Sequence, residues 1–121
     1  MKYGGIAREI PILQYPCAAA STVVYGMLIE FTGGVAIAWA GTNPLFGVAT
    51  GDADLDALVL PVYVAKGHTV FIKCGAGVVP TVGQELFWIA GGLAQVTGTA
   101  GTGFGIAVKA GLNGMVEARL K

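Results

Sequence analysis

Charge is scarce in this sequence. Lys, Arg, Asp and Glu make up 12% of its 121 residues and cancel to a formal net charge of zero, about half the charged fraction usual in a globular chain. The basic residues, Lys2, Arg8, Lys66, Lys73, Lys109, Arg119 and Lys121, are dispersed. No basic stripe exists to neutralise a run of phosphates, so nucleic-acid binding is not expected. Cysteine is limited to Cys17 and Cys74, with no CxxC pair. Neither a disulfide framework nor a structural zinc site is indicated, and free buried thiols in a reducing compartment are the plainer reading. The first residues lack the apolar run and small-residue cleavage site of a secretory signal, so no export is expected.

Groups that do chemistry are equally sparse. The single histidine, His68, sits in a Lys66-Gly67-His68 turn, and the single serine, Ser21, has no nucleophile-elbow context, which leaves nothing framed for acyl transfer. Asp52, Asp54 and Asp56 alternate as at the start of a calcium loop, but the sixth and twelfth places hold Ala57 and Tyr63 where that loop needs Gly and a bidentate Glu. The cluster reads as a solvated acidic turn. The glycine-rich stretch from Gly98 to Gly105 meets neither phosphate-binding pattern and leads into an apolar strand segment, not a helix, so it reads as a flexible hairpin connection. No catalytic residue, metal or cofactor is expected.

Residues 31–51 and 86–108 carry no charge and are long enough to span a bilayer, yet they are broken by glycine, Asn43, Pro44 and Gln95 and lack the Leu, Ile and Phe density that drives insertion. No membrane partner is expected. What the chain has in quantity is apolar residues, 55%, and 20 glycines. A single domain of this size buries about 65% of its unfolded surface, so some of that apolar content is left facing another protein, as in an oligomer or an assembly component.

Short apolar segments recur every ten or so residues between glycine-rich turns, which predicts an all-β fold, a compact antiparallel barrel or sandwich of about nine short strands. The candidate strands are 23–31, 35–40, 45–50, 57–64, 69–74, 85–89, 93–96, 104–109 and 115–120. Pro61 has no amide to donate, which predicts an edge strand or a bulge at its position. Shifting the sequence by 58 positions without a gap lays Leu28 on Leu86, Gly33-Gly34 on Gly91-Gly92, Ala36 on Ala94, Phe46-Gly47 on Phe104-Gly105 and Ala49 on Ala107. Two stretches of about 22 residues therefore read as one strand-GG-strand-loop-strand unit used twice.

Residues 1–22 lie outside that repeat and carry Pro11, Pro16 and spaced apolar side chains at Tyr3, Ile6, Ile10, Ile12, Leu13 and Tyr15. They read as an extended N-terminal arm before a domain of residues 23–121, suited to adding a strand to a neighbouring sheet. The alternative is a first strand of the same domain with a frayed terminus. Trp39, Phe46 and Trp88 have no interleaved basic residues, so they read as filling the core or an oligomer interface instead of stacking on bases. A carbohydrate-binding β module using Trp39 or Trp88 is the second reading, and an enzyme the third.

One succession of motifs is specific enough to name. Phe46-Gly47-Val48-Ala49, an acidic turn, a valine-rich strand, Gly83-Gln84-Glu85-Leu86-Phe87-Trp88, a GG turn, Gly105-Ile106-Ala107 and a closing Val116-Glu117-Ala118-Arg119-Leu120 strand resemble the small capsid decoration, or cement, proteins of tailed bacteriophages. The resemblance spans residues 26–121. It implies a compact β domain, usually trimeric, that binds the major capsid protein on the outer face of an expanded head at threefold or local threefold positions. It further implies synthesis in the host cytoplasm and no catalytic step. On that view the arm residues Tyr3, Ile6, Ile10, Ile12 and Tyr15 contact the capsid, and Trp39, Phe46 and Trp88 contribute to the trimer contact.

Overall fold

Glycine turns cut the chain into ten short strands, and no helix occurs among the residues that the structure, a computed structural model, describes, 12–64 and 69–121. In chain order these are β1 (Ile12–Pro16), β2 (Leu28–Thr32), β3 (Val35–Ala38), β4 (Gly47–Ala49), β5 (Val59–Tyr63), β6 (Thr69–Lys73), β7 (Glu85–Ile89), β8 (Leu93–Gln95), β9 (Gly105–Ala107) and β10 (Met115–Leu120). They pair antiparallel into two five-stranded sheets, ordered β1-β5-β4-β2-β3 and β6-β10-β9-β7-β8. Neither sheet closes on itself, so of the two expected architectures the sandwich is the one found. Every strand foreseen from the sequence is present, and β1 is the addition. Of residues 1–22, those at 12–16 form β1, an edge strand paired with β5 from Ile12↔Tyr63 to Pro16↔Val59.

The two sheet orders are one order used twice, and the backbone hydrogen bonds repeat with it. The Gly26 amide donates to Ala49 O and the Gly83 amide to Ala107 O; Phe46 N bonds Ile29 O as Phe104 N bonds Leu86 O; Cys17 N bonds Leu58 O as Cys74 N bonds Gly114 O. The repeat therefore runs from β1 and β6 to β5 and β10, well beyond the segments in which sequence identity shows it. The bonds also correct the gapless superposition. The β2–β3 hairpin turns through two residues between Thr32 and Val35, whereas three separate Ile89 from Leu93. Upstream of these turns the correspondence is 57 positions, not 58, and Ile29, not Leu28, is the structural counterpart of Leu86. Gly26 and Gly83, at φ of 90° and 85°, open the equivalent strands β2 and β7 in a backbone conformation that side chains disfavour.

Pro61 does not mark an edge strand, because β5 lies between β1 and β4. The reason it is tolerated is local. β4 pairs only with Val62 and Tyr63, so the missing amide falls just past the end of β4, where Thr50 N donates to Pro61 O and the one ladder bond forgone is the return bond to Thr50 O.

Alternation along the strands sorts the core into two clusters. Ile29, Ala49, Leu60 and Val62 face one way and pack with Cys17, Val23 and Ala36 under the first sheet. Leu28 and Val48, one residue out of phase, face the other way and join Ile72, Leu86, Val116 and Ala118 of the second sheet. The first sheet is thus apolar on both faces, which is why the start of β2 reads as a continuous run without alternation. Fully burying each of these Leu, Ile or Val side chains contributes roughly 1.5–3 kcal/mol.

Candidate interaction surfaces

The aromatic residues singled out in the sequence fall into two groups at equivalent places in the repeat. Trp39 and Trp88 meet at 6.3 Å between ring centroids, and Phe104 stands edge-on to Trp39 at 6.3 Å. The indole N–H of Trp88 donates to Trp39 O at 2.6 Å, and that of Trp39 to Asn43 O at 2.8 Å. This group ties the β3–β4 loop of the first half to the second half. Phe46 is elsewhere, in a T-shaped trio with Tyr15 at 5.0 Å and Phe31 at 4.7 Å. All these rings but Phe104, which is buried, remain half-buried. Tyr15 and Phe46, expected in different roles, therefore touch, while Trp39 and Trp88 lie apart from them in a second cluster. Tyr3, Ile6, Ile10 and His68 lie outside the described residues, as does the side chain of Ile12.

Each half pins one of its strand connections, β3–β4 in the first and β8–β9 in the second, on one carboxylate. Glu30 on β2 is fully buried and accepts from the Thr32 hydroxyl at 2.6 Å, the Ala40 amide at 2.7 Å and the Asn43 side-chain amide at 3.0 Å. The Thr32 hydrogen bond, with help from Ala40 and Asn43, holds its carboxyl below the ordinary range against the opposing effect of burial. Glu85 on β7 accepts from the amides of Gly101 at 2.9 Å and Gly103 at 2.6 Å and from Lys121 Nζ at 3.0 Å. These donors, the Gly101 amide first, depress its pKa to about 2. The glycine-rich stretch before β9, read as flexible from sequence, is thus anchored. Both glutamates looked like ordinary strand residues; only the three-dimensional return of the loops shows what they hold.

The acidic turn binds its own backbone. Asp52 accepts from the Tyr25 amide, and Asp54 from the amides of Asp56 and Ala57. Among the described residues no three of His, Cys, Asp or Glu gather in one place. Two hollows of about 180 and 300 Å3 are lined by Tyr25, Val48, Tyr63 and Phe71 and by Ala18, Ser21, Val23 and Ile37 respectively, among others, without a carboxylate, lysine or cysteine. Cys17 and Cys74 are free and buried, and burial pushes the Cys74 thiol pKa up, away from reactivity. No helix among the described residues is long and apolar enough to cross a membrane.

Apart from Leu13, the sequence does not single out the most exposed large apolar side chains among the described residues. Val79, Val82 and Leu112 are 68, 68 and 73% exposed on two neighbouring loops of the second half, joined by the Gly111 amide donating to Pro80 O. The equivalent loops of the first half, joined by Ala53 N to Val23 O, expose Tyr25, Leu55 and Leu58. Leu13 on β1 and Phe71 on β6 complete the set. Each of these is a short-loop or edge-strand residue with no local pattern to separate it from core, and only the fold shows which way it points.

Comparison with known proteins adds the following. Residues 6–121 match the family model described as phage cement protein. Among solved structures the chain is similar to the head fiber gp8.5 N base of bacteriophage phi29, with a TM-score of 0.66 and 23% sequence identity, covering 91% of this chain and 94% of that one. At that identity the likeness is one of fold. No curated protein matches.

Proposed function

The chain belongs to the phage cement protein family, and from that membership we propose that it binds the outer surface of a phage capsid as a homotrimer at threefold or local threefold positions and stabilises the expanded, DNA-filled head. The match over residues 6–121 is the observation that carries this reading. The low charge and the exposed apolar side chains support it. The role is that of a clamp without a catalytic step: it is made in the host cytoplasm, its partners are the major capsid protein and itself, and many copies arrayed on a symmetric lattice gain avidity from modest individual contacts. In this reading Tyr3, Ile6, Ile10, Ile12 and Tyr15 contribute to the capsid contact from the arm of residues 1–22, and Trp39, Phe46 and Trp88, each half-buried, contribute to the trimer contact.

The test is the number of copies of this chain per major capsid subunit in gradient-purified particles. A ratio near one is expected for lattice-wide decoration. Absence from particles would overturn the proposal, and a few copies per particle would move the protein to a vertex or tail. Removal of residues 1–11, which leaves β1 in place, is expected to weaken head binding; undiminished binding would refute the arm's part in it.

A further inference from the structure

The repeat supplies an internal comparison, because each half carries the same pair of loops at its tip and the two pairs have diverged in one respect. The first tip, residues 17–27 and 51–58, holds Asp52, Asp54 and Asp56. The second, the equivalent residues 74–84 and 109–115, holds no acidic residue and a single charge, Lys109 at its edge, while exposing Val79, Val82 and Leu112 more fully than any large apolar side chain of the first tip. Sheet order and the tying backbone bonds, Ala53 to Val23 and Gly111 to Pro80, are the same in both. The scaffold therefore does not account for the difference.

The exposure at the second tip is also built, not a by-product of slack chain. Pro80, between the two valines, is buried, with its carbonyl bonded by Gly111. The Thr81 amide and hydroxyl both donate to Gln84 Oε1, and Gln84 N returns a bond to Thr81 O. Leu112 and Met115 exchange backbone hydrogen bonds across the other loop. A rigid loop pair that presents apolar side chains loses little entropy on docking. Along the chain, charge is met only at Lys73 and Glu85 to either side of the first loop and at Lys109 and Glu117 to either side of Leu112.

We infer that the second tip, centred on Val79, Val82 and Leu112, is the surface of the domain that seats on the capsid shell, the acidic first tip taking no part in that contact. The inference rests on the proposed cement function and names the surface that performs it. The partner it fits is an uncharged apolar patch on the outer face of a shell protein. A contact of this composition has no ion pair to screen, so it persists at high salt.

The experiment is co-sedimentation of the full chain with expanded heads stripped of it, in 0.1 M and 1 M salt, for wild type, Val79→Asp/Val82→Asp/Leu112→Asp and, as control, Tyr25→Ser/Leu55→Ser/Leu58→Ser. Circular dichroism and unfolding midpoints report folding of each; Val79→Ser/Val82→Ser/Leu112→Ser replaces the aspartate variant if that one does not fold. Wild type is expected to bind about equally at both salt concentrations, the second-tip variant about a hundredfold more weakly, and the first-tip variant like wild type. Unchanged binding by a folded second-tip variant overturns the inference and leaves the cement function standing. Loss of binding by the first-tip variant alone overturns the choice of the second tip as the contact. Wild type that fails to bind heads overturns the function and this inference with it.

Discussion

At Glu85 one side chain decides the conformation of a whole loop. Two amides, from Gly101 and Gly103, and the Lys121 ammonium all point at its carboxylate, and a negative charge is what these donors stabilise. Its pKa is depressed to about 2 from an ordinary 4.5. A carboxyl whose folded pKa lies below its unfolded value adds stability that is present in full above the unfolded pKa and is lost as pH falls toward the folded one. Glu85 therefore supports the fold at neutral pH and ceases to do so between about pH 4.5 and pH 2. Urea midpoints of wild type and Glu85→Gln should differ at pH 7 and converge on acidification through that window. A difference independent of pH would show that the loop is held by something other than the charge. Glu30 also has a lowered pKa, so wild type alone loses stability in acid for two reasons, and only the paired comparison isolates Glu85.

Among elements, β4 and β9 are the most constrained. Both begin with glycine, and a Cβ on Gly47 would stand 2.4 Å from Tyr63 O and one on Gly105 2.6 Å from Arg119 O. The first obstacle at each is backbone of the neighbouring strand, which cannot move aside, and at Gly47 the Val62 side chain stands in the way as well. Gly47→Ala and Gly105→Ala should each destabilise by about 1–3 kcal/mol, measurable as a shift in denaturant midpoint at constant slope. Gly33→Ala serves as comparison, with open space around its Cβ and only the strain of a 61° φ. Sequence identity exposed this pair because a glycine required by close packing is copied with the unit. It also exposed nine of the strands, since each is a short apolar run between turn residues. It did not single out β1 as a strand of this domain, and the reason is visible at Leu13, Gln14 and Pro16: all three are exposed, and among the described side chains of the strand Tyr15 alone contacts the core beneath the sheet. An edge strand that buries one ring carries no alternation to read. The residue added to the β7–β8 turn was hidden for a related reason, because two GG pairs align equally well whether or not the strand before one of them has slipped.

For the molecule as a whole, the two halves share a plan but are not interchangeable. Leu28 and Val48 turn away from their own sheet's core and complete the core of the other, whereas Glu85 and Ile106, which occupy the corresponding places in the second half, are only half-buried. The joint thus runs one way, first half onto second, and the second half lacks part of its core without the first. A backbone seam reinforces it, with Leu28 N donating to Gly92 O and Lys73 N to Gly26 O. Two separately stable lobes would unfold in two steps; a shared core requires one. Both tryptophans of the chain stand at this joint, so their fluorescence reports its opening while far-ultraviolet circular dichroism reports both sheets. The two signals are expected to trace one transition in urea. Leu28→Ala, which removes a side chain lying on the first sheet but packed in the second core, should lower the stability read by both probes equally, by about 2–5 kcal/mol. A variant that shifted the fluorescence midpoint and left part of the dichroism change behind would mean that the sheets fold independently, and the argument that the first half completes the second would fail.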